Sequence, residues 1–120
     1  MDISYLITIF NKENEIQETI YSIKNQQKIG SLSIEIICID DLSDDNSIEI
    51  LQNLQKEDPR IKVIKNDINL GPSRCLNLAA KHAKGRYLIP IDGDDFLPVD
   101  ATRCLLDNAE KYNSELVFGM

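Results

Sequence analysis

The chain reads as an α/β protein: an open, mainly parallel sheet with helices on both faces. Three observations predict it. Short apolar, β-branched runs alternate with segments of helical periodicity, in the order β-α-β-α-β-α-β-α-β. The run Ile34–Ile39 lacks the apolar–polar alternation of a half-exposed strand, as expected when both faces are covered. The clustered polar residues fall where strands end, which is where open α/β sheets bind ligands.

Taken in order, Ser4–Phe10 is the first strand. Asn14 followed by Gln17 has the form of a capping box, and Ile16, Ile20 and Ile23 recur at helical spacing to about Gln27. Gly30 and Ser31 end that pattern, and Ile34–Ile39 follows as the second strand. A second helix starts near Ser43, turns Ile50, Leu51 and Leu54 inward and stops before Asp58-Pro59. Ile61–Ile64 is the third strand. A third helix opens at Gly71-Pro72 and lines one face with Leu76, Ala79, Ala80 and Ala83; Gly85 fits the left-handed position that closes helices. Tyr87–Ile91 forms the fourth strand, Val99–Tyr112 a fourth helix and Glu115–Phe118 a last strand. Pro90 removes a ladder donor, so the fourth strand either has a free side there or bulges before the aspartates. Ending on a fresh strand at Gly119-Met120 is the expected look of a domain cut short.

Length bounds the answer to one domain spanning residues 1–120. An apolar share of 42% and a charged share of 28% are those of a soluble globular protein. No apolar run reaches bilayer length and no signal-peptide layout opens the chain, so a cytoplasmic location is expected. A net charge of −7 argues against nucleic acid as a partner. It leaves room for a phosphate ligand held through a divalent cation, because such ions let carboxylates and phosphates share a site. Cys38, Cys75 and Cys104 form no CxxC pair and suit reduced thiols in a core.

Four loops on one sheet edge carry the chemistry: Thr8–Asn11, Asp40–Asp45, Asn69–Arg74 and Asp92–Asp95. Asp92, Asp94 and Asp95 can present oxygens to one hard cation, with Gly93 permitting a tight bend. An Asp-Gly hairpin turn is the bland alternative, but Pro98 and the helix beyond it give no returning strand. An EF-hand is excluded because the twelfth position from Asp92 is Arg103, where a bidentate glutamate is required. Asp41 sits where acidic side chains in nucleotide-binding sheets take a ribose or base hydrogen. Asp44 and Asp45 need do no more than favour a helix N-terminus. The amides that open the third helix, with Arg74 beside them, could face an anion; a plain helix start explains them equally. His82 lies on a polar helix face and needs only solvation.

The ordered set Leu6–Asn11, Ile39–Asp45, Gly71-Pro72-Ser73 through Asn77, Gly85-Arg86-Tyr87 and Asp92–Asp95 resembles the family 2 glycosyltransferases. The resemblance covers essentially the whole chain. It implies a GT-A fold, with this chain as the nucleotide-sugar-binding part of a catalytic domain. It implies that Thr8 and Phe10 flank the base, Phe10 standing where the family has a stacking tyrosine, and that Asp41 bonds that base. Asp92 and Asp94 become the DXD pair, with the ribose and a Mn²⁺ or Mg²⁺ between them; Asp95 can replace either as ligand. The implied reaction is an inverting transfer from a nucleoside-diphosphate sugar, a UDP-sugar foremost, to a saccharide or lipid-linked acceptor of the cell envelope. The full-length enzyme is then expected at the inner face of the membrane.

Two departures stand inside the chain. Leu42 replaces the family's glycine, so the loop after the second strand is not expected to use a positive φ there. Leu76 stands where the family has an arginine, which leaves Arg74 as the substitute for phosphate contact. No base is visible among these residues. A dinucleotide-binding oxidoreductase is excluded because no GxGxxG follows the first strand, and a receiver-like signalling domain is the weaker alternative because the acidic clusters follow the wrong strands. A non-catalytic nucleotide-binding module stays open.

Overall fold

The computed structural model describes residues 1–112. Its elements are β1 (Ile3–Ile9), α1 (Ile16–Lys24), β2 (Ile34–Asp40), α2 (Ser47–Glu57), β3 (Ile61–Lys65), α3 (Pro72–His82), β4 (Tyr87–Asp92) and α4 (Ala101–Tyr112). The strand expected at Glu115–Phe118 lies outside the described residues.

The four strands pair in parallel in the order β3-β2-β1-β4. Because side chains alternate across a strand, each strand feeds two cores. Ile3, Tyr5, Ile7 and Ile9 of β1 face one way and pack with Ile16, Ile20 and Ile23 of α1, Leu51 of α2 and Leu106 of α4. Leu6 of β1 and Ile37 and Ile39 of β2 face the other way, onto Cys75 and Ala79 of α3. Each fully buried Leu or Ile contributes about 1.5–3 kcal/mol, so these two layers dominate the stability. The chain adds β2 and β3 on one side of β1, then returns through α3 to add β4 on the other. That reversal opens a crevice at the carboxyl ends of β1 and β4.

Every residue of β2 is buried, as a strand covered on both faces requires. Asp40 closes the strand, and the charged residue near its start, Glu35, is only 1% exposed. It accepts hydrogen bonds from Ser4 Oγ at 2.6 Å, the Lys84 amide at 2.7 Å and Lys62 Nζ at 2.9 Å. Burial pushes its carboxyl up, but these donors and the Lys62 charge prevail and hold it below the usual glutamate range. Pro90 lies opposite Leu6 on β4, which pairs with β1 alone among the described residues, so its missing N–H faces no ladder. Among the described residues the free-side alternative therefore holds.

Several local expectations change. The Asn14–Gln17 capping box does not form: α1 begins at Ile16 with no side-chain cap. The preceding amides are held from another loop instead, with Asn11 N–H donating to Ser43 Oγ, Lys12 N–H to Ser47 Oγ and Glu13 N–H to Asp45 Oδ2. The second helix starts at Ser47 rather than near Ser43, because Ser43 turns back to donate to Asp40 through both its amide and its hydroxyl. Gly85 is not a left-handed cap, since α3 ends at His82 with extended Ala83 after it. A Cβ at Gly85 would lie 2.5 Å from Ser4 Oγ and 2.6 Å from Ser4 N, so close approach to β1 demands the glycine. Cys38 and Cys75 are buried as expected, whereas Cys104 is exposed.

Candidate functional site

The carboxyl ends of β1, β2 and β4 and the start of α3 enclose one cavity of about 420 Å³. Thr8, Phe10, Asp41, Asp92 and Asp94 all lie in its wall, so five of the residues singled out by sequence converge there. Arg74 is exposed on α3 and does not line the cavity; Gly71, Pro72 and Cys75 form the wall on that side. Phe10 presents an exposed ring at the rim.

Asp41 is 5% exposed, and its carboxylate is held by three donors. Oδ1 accepts from the Leu70 amide at 2.7 Å and from Asn66 Nδ2 at 3.0 Å; Oδ2 accepts from the Gly71 amide at 2.9 Å. Asn69 Nδ2 bonds the Asp41 carbonyl as well. Burial raises the carboxyl, and the donors at Leu70, Asn66 and Gly71 outweigh it, leaving Asp41 below the ordinary aspartate value of 3.8. Asp41 thus ties the β3–α3 loop to the end of β2 while one face of it borders the cavity. Cys75 packs beside it, and burial, with the neighbouring Asp41 charge, pushes that thiol up to about 11.

The loop after β4 is a tight turn closed on itself. Asp95 N–H donates to the Asp92 carbonyl at 3.0 Å, and Asp92 N–H donates to Asp95 Oδ2 at 3.1 Å. Gly93 N–H donates to the Thr8 carbonyl, and Thr19 Oγ1 donates to the Gly93 carbonyl. Gly93 has no positive φ; a Cβ there would lie 3.1 Å from Lys12 Cγ and 3.2 Å from Ile9 Cγ1. Its smallness lets the acidic turn settle onto β1. Asp92, Asp94 and Asp95 each offer a carboxylate oxygen, and the three atoms lie within 4.8 Å of one another. Hard oxygen donors at this spacing fit Mg²⁺ or Mn²⁺.

Two contributors, Lys12 and Asn66, escaped the sequence reading, and Asn69 entered it only as part of its loop. Lys12 lines the cavity, and its Nζ lies 3.2 Å from Asp94 Oδ2. It sits in Lys12-Glu13-Asn14-Glu15, which reads as a solvated surface; its place just past β1 was the available signal. Asn66 and Asn69 act on Asp41, a role visible only once β2 and the loop after β3 are adjacent.

The fold and cavity define a class: an open, parallel α/β domain with an acidic crevice at the carboxyl ends of its strands. Within that class the model of glycosyl transferase family 2 matches residues 4–120, and the chain belongs to that family. It is 34% identical over 120 residues to poly(ribitol-phosphate) beta-glucosyltransferase of Bacillus spizizenii, covering 99% of this chain and 19% of that protein. It is 34% identical over 110 residues to GalNAc(5)-diNAcBac-PP-undecaprenol beta-1,3-glucosyltransferase of Campylobacter jejuni, covering 91% of this chain and 35% of that protein. TarS of S. aureus, solved in complex with UDP, shares the GT-A fold: TM-score 0.81, 24% identity, 94% of this chain and 33% of that one. The chain therefore spans about a tenth to two fifths of the curated relatives it matches. Among the described residues no helix is long and apolar enough to cross a membrane.

Proposed function

We propose that this chain is the donor site of an inverting glycosyltransferase, binding a nucleoside-diphosphate sugar for transfer to an acceptor hydroxyl. The observation that carries the proposal is the convergence of Thr8, Phe10, Asp41, Asp92 and Asp94, from separate loops, on one cavity. Family membership supports a sugar donor, relatives named for glucosyl transfer to poly(ribitol-phosphate) and undecaprenol-linked glycans favour a cell-envelope acceptor, and the TarS complexes with UDP and UDP-GlcNAc favour a UDP-sugar. Phe10 and Thr8 at the end of β1 offer the base a flat apolar face and a hydroxyl. Asp41, clamped by the β3–α3 loop, keeps that wall rigid and borders the base subsite.

Asp92, Asp94 and Asp95 would hold the divalent cation, which when bound would neutralise charge on the departing nucleoside diphosphate. The chain's own part is to fix those carboxylates: the Asp92–Asp95 turn is bonded to itself, to Thr8 and to Thr19 before any ligand arrives. The acceptor's base is assigned to no residue of this chain. A cytoplasmic site of action follows from the same reading, because nucleotide sugars serve as donors there.

Titration calorimetry of the full chain with UDP and with GDP, each in Mn²⁺ and in chelator, tests this. Binding of UDP that requires Mn²⁺ is the expected result. Equal affinity in chelator would remove the cation from the proposal, and no binding of either nucleotide would remove the donor site.

A further inference from the structure

We propose that Lys12 is an exchangeable counter-ion: its ammonium pairs with Asp94 until a divalent cation binds, and thereafter with the donor's diphosphate. The inference rests on the donor-site reading and deepens it by naming the residue that couples metal binding to nucleotide binding.

Charge makes the first case. A diphosphate entering this cavity meets Asp41, Asp92 and Asp94, and Lys12 is the single cationic side chain in the described wall. The arginine that sequence offers for phosphate contact, Arg74, is not part of that wall. Placement makes the second. The Lys12 amide donates to Ser47 Oγ at 2.8 Å, and its neighbours are held likewise: Asn11 N–H to Ser43 Oγ and Glu13 N–H to Asp45 Oδ2. The second loop answers with Asp44 N–H to Asn11 Oδ1 and Asn46 N–H to Glu13 Oε2. Five hydrogen bonds thus fix the backbone that carries the lysine. Its stem passes over Gly93, where a Cβ would lie 3.1 Å from Lys12 Cγ, and the ammonium reaches Asp94 of the acidic turn at 3.2 Å.

Strength makes the third. The Lys12–Asp94 pair spans 3.2 Å with 33% and 46% of its side chains exposed. A half-exposed pair of this kind is weak and screened, so a divalent ion can displace the ammonium readily. Four rotatable bonds on an anchored backbone then let it reappear a few ångströms away, on a phosphate oxygen. Coupling of this sort is reciprocal: the nucleotide favours the cation as much as the cation favours the nucleotide.

Calorimetry on the full chain with Mn²⁺ alone, and with UDP in saturating Mn²⁺, reads both halves of the exchange. For Lys12→Met, Mn²⁺ alone should bind about threefold tighter, the reach of a partly exposed ion pair. The same variant should bind UDP about tenfold more weakly, the reach of one charge-assisted hydrogen bond. Lys12→Arg keeps the charge and should stay within about threefold of wild type in both titrations. An unchanged thermal midpoint shows that the variants fold. Should the wild-type chain bind Mn²⁺ and UDP while Lys12→Met matches it in both affinities, the exchange is wrong and the donor site stands. A wild-type chain that binds neither overturns both.

Discussion

Replacing Asp41 by asparagine separates two roles the cavity assigns to one carboxylate. If Asp41 served only a bound base, Asp41→Asn would weaken nucleotide binding and leave the fold intact. The three donors at 2.7, 2.9 and 3.0 Å argue otherwise. Asparagine can keep one acceptor toward Leu70 and Asn66, but it turns its own N–H group on the Gly71 amide. It also takes the charge from all three bonds. Hydrogen bonds to an ionised group are worth about 1.5–3 kcal/mol, so the loss should be about 2–3 kcal/mol. Total stability for a chain of this size is on the order of 10 kcal/mol, so the variant stays folded. The thermal midpoint should fall by roughly 10 °C.

The acid limb gives an independent check. Because the folded Asp41 carboxyl lies below 3.8, the folded state binds fewer protons than the unfolded one at acid pH. Its contribution is complete above the unfolded value and is lost as pH falls through the folded one. The gap between wild type and Asp41→Asn should therefore be constant above about pH 5 and shrink below about pH 4. Urea titrations across that range, with hydrogen exchange at the Leu70 and Gly71 amides, measure both. A variant whose urea midpoint matches wild type, with those amides still protected, would refute the clamp.

Gly85→Ala should cost about 3 kcal/mol or more, because the new Cβ meets β1 backbone that cannot yield and disturbs the Ser4 hydroxyl that serves buried Glu35. Gly85→Asn should do no better, since no left-handed φ is involved; a loss of unfolding free energy below about 0.5 kcal/mol in urea titration for either would contradict the packing account. Iodoacetamide at pH 8 should label Cys104 alone, because burial raises Cys75 to about 11 and Cys38 to about 12; equal labelling of Cys75 by mass spectrometry would show the cavity wall to be open.

Long periodic segments announced themselves in the sequence. The β-branched runs of β1, β2 and β3 and the Pro72 start of α3 lie where periodicity predicts, because burial on both sheet faces leaves those residues little choice. The candidate site was legible as a set, since all four loops fall at strand ends. What local reading missed was tertiary. Asn14 and Gln17 satisfy the pattern of a cap, yet the amides before α1 bond to Ser43, Ser47 and Asp45, which lie about thirty residues away. Gly85 was read as a left-handed helix cap and Gly93 as a bend, but neither has a positive φ: β1 backbone excludes a Cβ at Gly85, and Lys12, Ile9 and Thr8 crowd one at Gly93. Glu35 passed as part of an apolar run because its three donors come from elsewhere in the chain.

Leu42 shows why such misses gather at the rim. The sequence rule expects no positive φ without glycine, and yet Leu42 adopts φ 62 with its side chain 38% exposed. A left-handed leucine costs about 1–2 kcal/mol. Directly after it, Ser43 donates its amide and its hydroxyl to buried Asp40, and Ser43 Oγ in turn accepts the Asn11 amide. Asn11 is itself left-handed at φ 53 and accepts the Asp44 amide through its side chain. Two costly backbone conformations therefore face each other across one seam, each held by bonds that the other's loop supplies. Several hydrogen bonds, some to an ionised partner, can offset strain of this size. Relaxing either residue would release the seam that carries Lys12 and Phe10 to the cavity, so the strain belongs to the positioning of the site rather than to the folding of the sheet.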